Sequence, residues 1–538
     1  MNKVTQQTNF ILTAQLYNRS NFYRIPYIYM IPTQNKKIAK NTFFLYTRTF
    51  FLLAISLITS RLLLKNLGVE DLGIYNVVGG IVSIMYFLRA AQSRATTRFI
   101  TFELGANPDF KESNIFPICF TIHIILSLFV LFIGETLGFF ILNYWTNIPA
   151  DRILAAHLVY HFSLILFCVN ILRIPFDSIV ISNENMQYYA YVSIIEVIMQ
   201  FLGVVMLKYY SGDRLIAYSF LLLLVSLVIF TLYYFIIRKF YGRYKIKWRW
   251  NRKESLAILS FSGWSLLGST SDTIAQQGVS LIFNNFVNLI ANTALGFANQ
   301  VRSAIGTFVG SFTLAFDPQI IKLTAEKDKM SLQQLIMRAS KLSFVLAFMI
   351  AFPLLLNLDF LLSLWLGDVP QYTRDFCFIV IVSALFDATS CFFNTAINAT
   401  GDIKKYQIFI SFSFLFDFIC TFTLLYVGLN PAVAFSSRIF ARGIINMIIG
   451  LYFCYKQIDF NIKIYVTKVL IPIILTSIVS ISICYFFATM YDGWHKLVIS
   501  TIASSVTIIL CLLYFVLTKQ ERVSAMKLIN DKIHQLIR

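Results

Sequence analysis

The sequence predicts an all-α integral membrane protein of about fourteen transmembrane helices. Composition, long apolar runs and the placement of basic residues carry that expectation. The chain is 58% hydrophobic and 13% charged, against about 25% charged residues in a soluble domain. Its mean hydropathy is +0.70. With 53 Phe and 28 Tyr spread over 538 residues, it holds more apolar surface than a soluble core could bury.

A bilayer core asks for about 20 apolar residues per helix. Qualifying runs begin near Phe43, Leu72, Ile115, Ile153, Tyr188, Leu215, Ser255, Ile290, Leu342, Asp375, Tyr406, Pro431, Val466 and Leu497. The seventh contains "SGWSLLGSTSDTIAQQGVS", which is polar for a span and must face protein or water. Its Gly263, Gly268 and Gly278 are hinge candidates, because a polar, glycine-bearing helix can bend where it lines a cavity. Pro117, Pro175, Pro353, Pro472 and the Gly79-Gly80 pair mark kinks in other spans.

Residues 1–29 contain no apolar core of signal-peptide length. "MIPTQNKKIAKNTFFLY" reads as a more natural beginning. Met30 is then the true start, or else the preceding segment is a cytoplasmic tail. The expected organisation is a cytoplasmic segment (1–42), a first six-helix bundle (43–237), a basic linker (238–254), a second six-helix bundle (255–456), and a final pair of helices with a basic tail (457–538).

The formal net charge is +19, which in a soluble protein would point to nucleic acid. Here the loops explain it. With the N-terminus inside, the inner loops hold 32 Lys and Arg and the outer loops 6, so both termini are expected in the cytoplasm and no nucleic-acid partner is implied. The densest block, "RKFYGRYKIKWRWNRKE", anchors that topology and suits anionic membrane lipids.

The eight cysteines lie in apolar runs without a CxxC pair, so neither a disulfide framework nor a metal site is expected. His157 and His161 share a helix face but have no third ligand. There is no GxxxxGK[ST] phosphate loop, and the longest outer loop (143–152) is too short for the outer domain that membrane glycosyltransferases and ligases need. An enzyme is not expected.

Laid on itself with a shift of 223, the chain matches "LGIYNVV" to "LGFANQV" and Glu103 to Glu326. A looser match pairs "ISNENMQYY" with "ATGDIKKYQ". Six helices per half give both halves the same orientation. The expected fold is therefore two parallel six-helix repeats around a central cavity, plus two extra C-terminal helices. This is the plan of a rocking transporter.

The stretches "LLLKNLGVEDLGIYNVVGG", "ANTALGFANQVRSAIGTFVGSF" and "AFDPQIIK" resemble the polysaccharide-flippase branch of the multidrug/oligosaccharidyl-lipid/polysaccharide exporter superfamily. The likeness runs from about Lys36 to the end. It implies a flippase that moves a lipid-linked oligosaccharide across a bacterial inner membrane, alongside other polysaccharide-assembly membrane proteins. A multidrug or metabolite exporter of the same superfamily is the alternative.

Seven arginines lie in the expected spans: Arg48, Arg61, Arg89, Arg173, Arg302, Arg438 and Arg442. Each costs a few kcal/mol at the centre of a lipid-facing helix. Guanidinium keeps its charge and grips phosphate oxygens bidentately, so all seven are candidate cavity cations for a diphosphate. The alternative for Arg48, Arg61 and Arg89 is snorkelling to a helix end, and for Arg173 a pair with Asp177 at i, i+4. Arg302, Arg438 and Arg442 are deepest and have no carboxylate at i±3 or i±4. Asp272, Asp387, Asp417 and Glu196 are candidates for coupling to a proton or sodium gradient, or else partners for arginines on other helices. No cofactor is expected.

Overall fold

The computed structural model describes residues 32–83, 85–144, 149, 151–287, 289–490, 492–516 and 522. The question of the true start at Met30 and the expected basic tail fall almost wholly outside them. By its contacts the chain divides into a short N-terminal unit, Met1–Ala39, and one compact unit, Lys40–Arg538. Among the described residues every regular element is a helix.

In chain order the helices are α1 (Pro32–Ser83), α2 (Tyr86–Ala106), α3 (Ile115–Tyr144), α4 (Ile153–Ser182), α5 (Met186–Met206), α6 (Arg214–Phe240), α7 (Arg252–Phe286) and α8 (Leu289–Ala325). Then follow α9 (Lys329–Leu356), the short α10 (Leu358–Leu366), α11 (Thr373–Thr400), α12 (Lys404–Tyr426) and α13 (Pro431–Ile458). The chain closes with α14, which leads from Ile462–Tyr465 through a π turn into Ile471–Met490, and α15 (Gly493–Cys511).

Twelve of the described helices are long and apolar enough to cross a membrane, so the expected fourteen is not reached by that measure. The two missing runs are those starting near Leu72 and Ser255. The Ser255 run is helical but carries too many polar side chains. The Leu72 run is apolar enough but is shared between α1, which ends at Ser83, and α2, which begins at Tyr86, so neither helix holds it whole. Within α1, the boundary between the first two expected spans is a break at Gly68, with φ 79° and ψ 177°. Glycine alone enters that region freely.

The first half packs α2, α3 and α6 around α4. Arg152 fastens its predicted outer end, reaching Asp71 at 2.5 Å and Asp213 at 2.6 Å. In the second half α8, α9 and α13 surround α11, and α7 lies along α12. The last two helices pair with each other, and α15 rests on α9. Between the halves, α2 packs on α7 and on α8, its own counterpart in the internal repeat.

The repeat is visible in geometry but not in detail. Glu103 accepts from the backbone N–H groups of Asn114 (2.7 Å) and Ile115 (3.2 Å), closing the N-terminus of α3. In the second half the equivalent helix, α9, is capped by Asp328, which accepts from the Ser331 N–H at 3.1 Å. Glu326, the residue matched in sequence, is not the cap.

Candidate functional site

A cavity of about 780 Å³ lies between the halves, walled by α2, α7, α8 and α11. Arg94 and Arg98 enter it from α2, Arg302 and Asp317 from α8, and Asp387 from α11. A smaller recess of about 350 Å³ shares Arg94, Asp387, Cys391 and Asn394 with it and extends to Asp272 on α7.

The wall-forming helices are long. At about 1.5 Å per residue, the 35 residues of α7 and 37 of α8 far exceed a hydrocarbon core of about 30 Å. Residues beyond the apolar stretch therefore remain helical, and that brings Arg94, Arg98 and Asp317 to the cavity. By apolar length alone all three fall outside the expected spans, in the inner loops 93–114 and 317–341. The signal for two of them was present: Arg94 and Arg98 stand four apart in "RAAQSRATTRFI", one face of a continuing helix.

Arg94 and Arg98 are held by neutral partners. Arg94 donates from Nε to Ser265 Oγ at 3.1 Å and also reaches Ser269. Arg98 donates to the Ala399 carbonyl at 3.3 Å, with its guanidinium 4.5 Å and 5.0 Å from the Phe99 and Phe102 ring centres. Arg302 lines the same cavity. Asp387 lies in the fields of Arg302, Arg438 and Arg442. Asp317 accepts from Thr395 Oγ1 at 2.8 Å. Asn394, Thr395 and Asn398 supply neutral donors and acceptors along α11.

Behind this wall is a buried ion cluster that corrects the expectation for the deep arginines. Arg442, 2% exposed, donates from Nε to Asp417 at 2.6 Å and from Nη1 to Asp272. Asp272 also accepts from Gln276 at 2.9 Å. Two carboxylates on α12 and α7 thus occupy the guanidinium that was expected to receive phosphate. Arg438 is 1% exposed and borders neither the cavity nor the recess. Among the described residues its Nε and Nη2 have no hydrogen-bond partner, and its guanidinium lies 5.5 Å from the Phe435 ring centre. A π segment, Ile439–Ile445, begins directly after Arg438 and contains Arg442.

The remaining sequence candidates are dispersed. Arg173 is held inside the first half by Asp177 at 3.4 Å and Glu196 at 3.1 Å. It is therefore a structural ion pair, and Glu196 is engaged in it. Arg48 stacks 4.8 Å from the Tyr189 ring centre, Arg61 is exposed and Arg89 half-buried. None of these four lines the cavity. The helix α7 runs unbroken through Gly263, Gly268 and Gly278. A Cβ at Gly278 would stand 2.6 Å from Phe418, and one at Gly268 would meet Gln407, so these two let α12 pack closely. Nothing approaches Gly263.

At the predicted cytoplasmic end the two halves are tied together. Glu184, in the α4–α5 turn, accepts from Lys322 Nζ and from Gln319 Nε2 (3.4 Å) on α8. The Glu184 carbonyl accepts from Asn41 at 2.9 Å. Beside them, a Cβ on Gly105 of α2 would stand 2.9 Å from the Lys322 Cα, so only glycine permits this crossing.

No protein-family model and no curated protein matches the chain. Solved structures do. The chain is similar to a MATE crystal structure in complex with MaD3S (TM-score 0.67, 12% identity, covering 79% of this chain and 96% of that one). It is likewise similar to the outward-facing conformation of a multidrug resistance MATE family transporter of the MOP superfamily (0.67, 13%, 78% and 96%). A third similar structure is a MOP superfamily transporter from Pyrococcus furiosus (0.64, 13%, 78% and 95%), described there as having reversed pocket polarity that suggests a different function. At these identities the likeness establishes the fold: a multi-pass membrane protein with the architecture of these transporters.

Proposed function

We propose that this chain is a flippase for a polyprenyl-diphosphate-linked oligosaccharide, working by alternating access in a bacterial inner membrane. The observation that carries the reading is the cationic wall of Arg94, Arg98 and Arg302. Among the described residues Arg94 and Arg98 are held by hydroxyls and two backbone carbonyls, which leaves their charge unneutralised for a diphosphate. The headgroup crosses in this wet cavity, where an anion avoids the prohibitive cost of hydrocarbon, while Asn394, Thr395 and Asn398 suit sugar hydroxyls.

In this reading an ion gradient drives the cycle. Asp387 is the coupling carboxylate, because Asp272, Asp417 and Glu196 are each ion-paired elsewhere. The second reading, export of a cationic compound, draws support from Asp317 and Asp387 in the same cavity.

The test is depletion of the protein in its host, with leaflet-resolved analysis of lipid-linked sugars and rescue by variants. Accumulation on the cytoplasmic leaflet, relieved by the native chain but not by Arg94→Gln/Arg98→Gln at equal expression, supports the flippase. Unchanged lipid-linked sugars with heightened sensitivity to cationic compounds would give the reading to the exporter.

A further inference from the structure

The linker between the halves, expected to be a topology anchor with an affinity for anionic lipid, is organised differently. Residues 245–250 form neither helix nor turn. Their basic residues are engaged by the first half. Lys245 and Lys247 hold Glu112 at 3.2 Å and 2.7 Å. Arg249 donates to Asn114 Oδ1 at 2.7 Å, and its backbone N–H donates to Thr121 Oγ1 at 3.1 Å. The intervening Ile246, Trp248 and Trp250 are 42%, 68% and 50% exposed. Side chains that alternate in this way belong to an extended segment with two faces.

We propose that this segment is an interfacial strap, gripped through its basic face by the α2–α3 connection and inserted through Trp248 and Trp250 into the inner leaflet at the headgroup–acyl boundary. Two further observations identify lipid as the occupant. Thr121 lies in the second turn of α3, inside the apolar stretch Ile115–Phe140, so the strap runs beside a helix already entering the membrane. Phe240 of α6 and Leu256 of α7, which flank the strap in sequence, are exposed large apolar side chains as well.

The other end of the molecule shows the same device: Trp365 and Trp494, at the predicted outer ends of their helices, are 50% and 59% exposed. Tryptophan collects at both bilayer interfaces because an amphipathic ring suits that boundary. Lys245 and Lys247 share the one carboxylate of Glu112 and Arg249 is held by Asn114, so in this proposal insertion depends on the apolar face. It does not require anionic lipid.

The experiment uses the full chain in nanodiscs, with Trp145, Trp264, Trp365 and Trp494 replaced by Phe so that only Trp248 and Trp250 emit. Should that chain fold poorly, the difference between the native chain and Trp248→Phe/Trp250→Phe reads the same pair. Acyl-brominated phosphatidylcholine is expected to remove most of the pair's emission, and iodide little of it, in zwitterionic lipid at high salt as well as in anionic lipid. Full quenching by iodide without quenching by bromolipid would place the strap in water. Quenching by neither would mean that protein covers it. Quenching by bromolipid only in anionic lipid would restore the charge-driven anchor. Each of these three results overturns the proposal.

Discussion

Lys322 of the second half reaches across to Glu184 of the first, and the bond between them ties the halves together on the side where the basic loops gather. Glu184 is 6% exposed and held at φ 59°, a conformation that few non-glycine residues adopt. Lys322→Ala leaves a buried carboxylate without its cation, and a lost charged hydrogen bond costs about 1.5–3 kcal/mol. Labelling of Asn398→Cys by an impermeant maleimide in inside-out vesicles should therefore rise in Lys322→Ala. The swap Lys322→Glu/Glu184→Lys should bring it back down. Unchanged labelling in the single variant would show that helix packing alone, at Gly105, seals this end.

Arg438 and Arg442 separate by stability. Removing one partner of a buried ion pair costs about 3–5 kcal/mol, so Arg442→Met should lower the melting temperature of the purified protein sharply. Arg438→Met replaces an unpaired buried guanidinium with an apolar side chain of similar length, and should leave the melting temperature unchanged or higher. Equal losses in both variants would mean that Arg438 has a partner of comparable strength.

The glycines of α7 divide in the same way. Gly278→Ala forces the Phe418 ring to shift, at about 1–3 kcal/mol for overpacking. Gly263→Ala meets nothing and should stabilise the helix by up to about 1 kcal/mol. If Gly263→Ala instead kept its stability and lost transport, the hinge expected from the sequence would lie there.

Glu112 supplies a pH dependence outside the membrane. Hydrogen bonds from Lys247 and Lys245 hold its carboxyl below the usual carboxylate range. A depressed folded-state pKa favours the bound strap above the ordinary carboxylate pKa, and that contribution fades as pH falls through the lowered value. Hydrogen exchange over 243–250, corrected for intrinsic rate, should accelerate in acid. Glu112→Gln should reproduce the acid behaviour at neutral pH.

The all-helical membrane architecture was legible because apolar length and loop charge are local properties. The cavity was less so. Apolar length marks where a helix crosses the hydrocarbon but not where it ends, so Arg94, Arg98 and Asp317 were assigned to loops although their helices continue through them. Arg442 failed for another reason. Its own helix offers no carboxylate at i±3 or i±4, and those that pair with it stand on α7 and α12, 170 and 25 residues away. Arg173 shows both cases, since Asp177 was visible at i, i+4 and Glu196, on the next helix, was not.

The cluster in the second half has one more property. With every group ionised, Arg302, Arg438 and Arg442 are matched by Asp272, Asp387 and Asp417, three charges of each sign on helices of one half. Moving one elementary charge through the membrane potential takes about 2.3 kcal/mol per 100 mV, but moving a neutral set as a body takes none. These six groups therefore add nothing to the voltage dependence of the reset, and any current must enter through Arg94, Arg98 and Asp317 in the cavity, the cargo or the coupling ion.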